Sequence, residues 1–260
     1  MTLKTLQPVA FVVAMALASA CSGGKKDAAP GAPPAGAQKV DPAKAGNVAG
    51  RVLLDGPAPA NAPIKMSADP FCIRANAGGV SFESFVVDNG GLENVFVYVK
   101  DGLGNYYFEP PAEAVKLDQK GCHYTPHVFG IQTGQPLEIS NSDDTLHNVH
   151  ALAEKNREFN YGQAMAGMKN TKTFTVPEVM ITFKCDVHGW MNAYGGVLSH
   201  PYFAVTKDGG TFELKNLPAG TYTIEAWHEK LGVQTQRVTI GERESKDITF
   251  TFKAPAASTN

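Results

Sequence analysis

The run Val179-Met-Ile-Thr-Phe-Lys-Cys185-Asp-Val-His188-Gly-Trp-Met191 decides how this 260-residue chain is read. Its first five residues are apolar or β-branched, the composition of a short buried strand. The strand empties into a loop on which a thiol, an imidazole and a thioether follow three apart: Cys185, His188 and Met191. Upstream, behind a second strand-like run (Pro136-Leu-Glu-Ile-Ser140), stands Asn141-Ser-Asp-Asp-Thr-Leu-His147-Asn148-Val-His150. Soft Cys and Met ligands select copper, and two imidazoles with one thiolate and a weak axial Met define a blue-copper electron-transfer site. One ligand from a strand end and three from a single loop can converge at one pole of a β-sandwich. His147 and His150 compete for the upstream place, since three positions along a strand reverse the face and both cannot point at one site.

Outward from this centre the chain keeps the same texture. Val48-Ala-Gly-Arg-Val-Leu-Leu54 and Val95-Phe-Val-Tyr-Val99 are further short β-rich runs bounded by turn residues. Beyond residue 48 no helical period holds for more than about two turns. Residues 150–169 come closest, but Gly162 and Gly167 interrupt them, which predicts a long loop. The expected fold class is all-β, built as sandwiches. Near the C-terminus, Asp208-Gly-Gly-Thr-Phe-Glu-Leu-Lys-Asn-Leu-Pro-Ala-Gly-Thr-Tyr-Thr-Ile-Glu-Ala226 alternates on both sides of a Pro-Ala-Gly turn. Phe212 and Leu214, then Tyr222, Ile224 and Ala226, are expected to face one core.

Two resemblances follow from these residues. His147-Asn-Val with Cys185-x-x-His188-x-x-Met191 resembles the cupredoxin family, with a ligand loop closest to that of the amicyanins. The likeness runs over residues 113–203, from a strand at Val115-Lys-Leu through Ile181-Thr-Phe-Lys-Cys185 to Gly195-Gly-Val-Leu198. It implies a Greek-key sandwich and a type 1 copper ion held by His147, Cys185, His188 and Met191. Asn148 would stand just outside the ligands, holding the cysteine loop and tuning the site. The 208–226 pattern resembles the carboxypeptidase regulatory-like (prealbumin-like) sandwich, over residues 204–253. Gly50-Arg-Val-Leu-Leu-Asp-Gly56 and Leu92–Val99 are similar to that family's opening strands, so the β segment 48–112 and the segment 204–253 are expected to form one sandwich with the cupredoxin domain inserted.

The N-terminus reads as an address. Lys4, the apolar stretch Val9–Ala18 and Ser19-Ala20-Cys21 make residues 1–20 a secretory signal peptide. Leu17-Ala-Ser-Ala-Cys21 resembles a bacterial lipobox, which implies lipidation at Cys21, and Ser22 fits lipoproteins sent to the outer membrane. Residues 21–47 are then a flexible linker: of residues 22–47, sixteen of 26 are Gly, Ala or Pro. Such a segment reaches roughly 28 Å as a random coil. Export implies an oxidising compartment, where Cys72 and Cys122 are expected to pair. Cys185 is left as the one thiol needing a metal's protection.

Composition narrows the function. With 23 Lys+Arg against 25 Asp+Glu the chain lacks the basic excess of a nucleic-acid binder. No G-x-S-x-G, H-E-x-x-H or phosphate-cradling loop is present, so an enzyme is not expected. The expected role is a periplasmic-side lipoprotein that carries single electrons between redox donor and acceptor proteins. Copper storage or delivery, and a surface structural module, are the alternatives. In the carrier, the His188 edge with Trp190 is expected to form the electron port, reaching solvent in an apolar surround. Asp143 and Asp144 read as turn formers, His200 and His228 as structural or solvent-facing, and His123 with His127 as a weaker candidate for a second metal site.

Overall fold

In a computed structural model, described for Met1, residues 36–66 and residues 69–256, the chain is all-β with one short helix. The expected signal peptide and the lipidation at Cys21 fall outside the described residues. Four strands come first: β1 (Gly46–Asp55), β2 (Val87–Asp88), β3 (Gly91–Leu92) and β4 (Phe96–Asp101), with helix α1 (Pro70–Ala75) between β1 and β2. Nine follow: β5 (Val115–Lys120), β6 (His123–Thr125), β7 (Val128–Gln132), β8 (Pro136–Asn141), β9 (His147–Leu152), β10 (Phe159–Gln163), β11 (Lys169–Thr173), β12 (Glu178–Lys184) and β13 (Asn192–Leu198). The last five are β14 (Phe203–Val205), β15 (Thr211–Leu217), β16 (Gly220–His228), β17 (Gly232–Ile240) and β18 (Ser245–Lys253). No helix among the described residues is long and apolar enough to cross a membrane.

The strands sort into two sandwiches. In the first, one sheet sets β1 against β15, β3 and, in parallel, β18, while the other runs β14-β4-β16-β17. Period-two alternation aims one face of each strand inward. Phe212, Leu214, Tyr222, Ile224 and Ala226 accordingly share a core with Val48, Val52, Val97, Phe250 and Phe252. The second sandwich pairs the sheet β10-β9-β12-β13-β7 with the sheet β11-β8-β5-β6. Leu117, Leu137 and Ile139 meet Val149, Ile181 and Phe183 between them. The chain enters the first sandwich with β1–β4, builds the second with β5–β13, and returns.

Strand β4 is buried on both faces, which a one-sided sheet does not require. Val95, Val97 and Val99 fill the first core, while Phe96 and Tyr98 turn outward onto Val128 and Leu198 of the second sandwich. Glycine makes this seam close. Gly130 of β7 and Gly196 of β13 are register partners. A Cβ on Gly196 would lie 2.4 Å from the Phe96 ring, and one on Gly130 2.3 Å from the Phe203 ring.

Three expectations need correction. Residues 150–169 are not one long loop, because Phe159–Gln163 pairs antiparallel with His147–Ala151. Gly162 breaks a helical period but not an edge strand, and Gln163 is buried. Nor is 48–112 all of one piece with the first sandwich. Residues 62–66 and 69–82 fold back (Ile64 N–H to Val80 O, 2.8 Å) and set Met66 and Cys72 into the second core, with Ile64, Phe71 and Val80 packed against it. The expected linker has also docked before residue 47: Gln38 bridges Tyr106, and Lys44 O accepts from Arg243 N.

Candidate metal centre

Adjacent strands of one sheet deliver the candidate ligands. In the β9–β12 pairing, Phe183 faces Ala151 and Lys184 faces His150, so Cys185 leaves β12 level with the start of β9. The 185–191 loop closes on itself, with Met191 N–H donating to His188 O (2.9 Å) and Cys185 N–H to Met191 O (3.1 Å). His147, Cys185 and His188 consequently offer ligand atoms all within 4.8 Å of one another, and all three are buried. The two imidazoles face each other at Nδ1, 2.9 Å apart, and Cys185 Sγ lies 4.0 Å from His188 Nδ1. Met191 is 1% exposed and packs in the same core.

The backs of both imidazoles carry carboxylates. His147 Nε2 is 3.0 Å from Asp143 Oδ2, and His188 Nε2 is 3.1 Å from Asp69 Oδ2. A neutral imidazole holds one N–H, and a carboxylate acceptor draws it to Nε2, leaving the Nδ1 lone pair free. Burial lowers the His147 pKa below its ordinary value, against the pull of Asp143. Two Nδ1 atoms and a buried sulfur share one space, a donor set that a soft or borderline cation would satisfy. The residues fit a copper ion on this ground.

Asn148 binds the loop by its side-chain oxygen, which accepts from Cys185 Sγ (3.3 Å) and from Asp186 N–H (2.8 Å). The Tyr124 hydroxyl donates to the Asn148 carbonyl, and burial beside Cys185 pushes the phenol pKa up. His150 points the other way, to Asp186 (3.0 Å) and Glu158 (2.5 Å). Cys72 and Cys122 form a disulfide with a Cα–Cα distance of 5.6 Å. The half-cystine Cys72 lies 3.9 Å from His188 Nε2. Two further groupings, Asp69–Cys72–His188 and Cys122–Asp143–His147, have their cysteines spent in that bond.

The expected electron port is absent. His188 is 2% exposed, covered by Asp69 and the segment that carries it. Trp190 donates Nε1–H to Cys122 O (3.0 Å), its ring centre 5.0 Å from that of His188, so it walls the site instead of opening it. Asp143 is no mere turn former: it is buried and takes the Gly121 and Cys122 N–H groups as well as His147. Its position four residues before His147 was the available signal. Asp69 had none, since nothing local ties an Asp-Pro pair to a loop more than a hundred residues on. Among the described residues His123 and His127 are not gathered into a metal-binding group. His127 is engaged by Glu229 (2.7 Å) and Asn192 O (3.2 Å), while His123 bonds Gly121 O (2.8 Å). His200 and His228 are buried and structural, their Nδ1 atoms accepting backbone N–H groups.

Comparison with known proteins adds the following. The family model described as polysaccharide lyase family 4, domain II, matches residues 167–248, less than half of the chain and spanning both sandwiches. No curated protein matches at a significant level. Similar solved structures include a copper-containing nitrite reductase from Thermus scotoductus (22% identity, TM-score 0.31, covering 36% of this chain and 24% of that one). A purple cupredoxin from Nitrosopumilus maritimus aligns at 17% identity and TM-score 0.28, over 32% of this chain and 97% of its own. A mutant of amicyanin in its Cu(I) form aligns at 22% identity and TM-score 0.29, over 32% and 81%. The chain thus spans about a quarter of the nitrite reductase and most of the two smaller proteins.

Proposed function

We propose that this chain is an exported, lipid-anchored blue-copper protein, a carrier and not an enzyme. It would pass single electrons between donor and acceptor proteins on the periplasmic side of a bacterial membrane, with Cys21 as the outer-membrane anchor. One observation carries the reading: the imidazoles of His147 and His188 and the thiol of Cys185, from separate stretches of chain, meet within ligand reach in a buried space. His147, Cys185 and His188 would hold the ion, with Met191 as the weak thioether ligand. Bound copper supplies reversible one-electron exchange.

The protein's own residues supply rigidity. Asp143 and Asp69 lock the two rings, and Asn148 ties the Cys185 loop to β9. A cage that does not relax between oxidation states lets an electron pass with little reorganisation. Burial also retains the ion, which weighs against delivery to another protein. The test is the visible spectrum of purified, copper-loaded protein. An intense thiolate-to-copper band that vanishes in Cys185→Ser is the expected result; a preparation that stays colourless after copper addition overturns the reading. Copper kept through repeated oxidation and reduction in the presence of a chelator separates an electron carrier from a store.

A further inference from the structure

His188 is held by a segment more than a hundred residues before it in the chain. Asp69 caps the N-terminus of α1, accepting from Phe71 N–H (2.7 Å) and Cys72 N–H (3.3 Å) through Oδ1. Its other oxygen takes the Thr145 hydroxyl (2.8 Å) and His188 Nε2 (3.1 Å). Across the disulfide the pattern repeats: Gly121 N–H (2.8 Å) and Cys122 N–H (2.7 Å) donate to Asp143, which backs His147. Each half-cystine therefore places, by its own peptide group, the carboxylate behind one imidazole. The bond between them joins the two supports.

We propose that Asp69 is a positioning residue of the metal centre, fixing the His188 proton at Nε2 so that Nδ1 faces Cys185 and His147, and that the Cys72–Cys122 disulfide holds Asp69 in that place. Loss of such an outer partner typically costs 10–100-fold in metal affinity, because the ring loses both its orientation and its basicity. A carboxylate behind the ring also favours the more highly charged Cu(II) over Cu(I). The proposal rests on the copper reading for its affinity effects, but not for the tautomer, which belongs to the apoprotein.

Asp69→Asn is the test, since Asn caps a helix as well as Asp does and α1 keeps its start. In the wild-type apoprotein, nitrogen-resolved NMR of the imidazoles should find His188 protonated at Nε2. In the variant that preference should weaken. Copper(II) affinity, measured by chelator competition, should fall about 10–100-fold, copper(I) affinity should fall less, and the reduction potential should rise. The Cys72→Ser/Cys122→Ser protein should shift the same way. Asp69→Asn protein with unchanged tautomer and copper(II) affinity within about twofold of wild type, inside the ordinary surface range, overturns the role of Asp69. Wild-type behaviour in the double serine variant overturns the role of the disulfide. Wild-type protein that never develops colour overturns the copper reading instead, and the apoprotein spectrum still decides the Asp69 contact.

Discussion

His147 and His150 differ only in which side of β9 they occupy, and that difference assigns their chemistry. His147 is fully buried with its Nδ1 toward His188, whereas His150 is spent on Asp186 and Glu158 at the surface. His147→Ala should therefore weaken copper binding by more than the roughly 100-fold that loss of an outer partner costs. His150→Ala should change it by no more than about twofold, the usual surface range. Isothermal titration of both proteins checks the pair, and equal losses would show that the face was misassigned. Asn148 extends the same logic, because it meets both the Cys185 sulfur and the Asp186 amide. Removing its side chain leaves the loop N–H unpaired, at a cost of about 1–3 kcal/mol if no water replaces it.

At the scale of elements, two devices hold the architecture. One is the disulfide, which ties α1 to the β5–β6 turn and closes a 50-residue separation. In the chain-entropy model that is worth about 4 kcal/mol. Urea unfolding with and without a reductant should show a loss of that order. The other is the glycine pair of the seam, where Gly130 and Gly196 leave room for Phe203 and Phe96. Gly196→Ala puts a methyl group into an occupied space and should destabilise by about 1–3 kcal/mol. A Gly162→Ala control, at an open site, should cost little. Equal effects from the two substitutions would mean that the seam is looser than its contacts imply.

The whole molecule joins two sandwiches through a mixed seam, apolar at Phe96, Tyr98, Val128 and Leu198, with a polar contact where Glu229 meets His127. Burial pushes the Glu229 carboxyl up most strongly of any single influence, but the contacts with His127 and Lys230 together outweigh it and hold the carboxyl at about 2. Acid should loosen the molecule first through its buried histidines. Burial lowers His200 and His228 from 6.5 to about 4. The unfolded chain then binds more protons than the folded one between those values. Stability is full above pH 6.5, falls as the pH drops through that window and levels off near 4, by about 3 kcal/mol per histidine at most. The apoprotein melting temperature should track this fall, and replacing both histidines by Asn should reduce it.

Strand composition, the alternation around the Pro-Ala-Gly turn and the Cys-x-x-His-x-x-Met spacing determined the all-β class and named residues that the fold brings together. Those signals are local: a period of two aims a face, and three donors on one loop stay neighbours whatever the rest of the chain does. The pairing of Cys72 with Cys122 was legible for a different reason, as an inference from an oxidising compartment. Which surface covers His188 was not legible. Asp69 and α1 reach the site through the disulfide and through packing of Met66 and Cys72 on a core that belongs to another part of the chain. The glycine seam was hidden likewise, since a glycine's use depends on the ring that comes to rest against it. Only tertiary structure decides contacts of that kind, because burial of a group is set by elements distant in sequence and leaves no period in the chain that is buried.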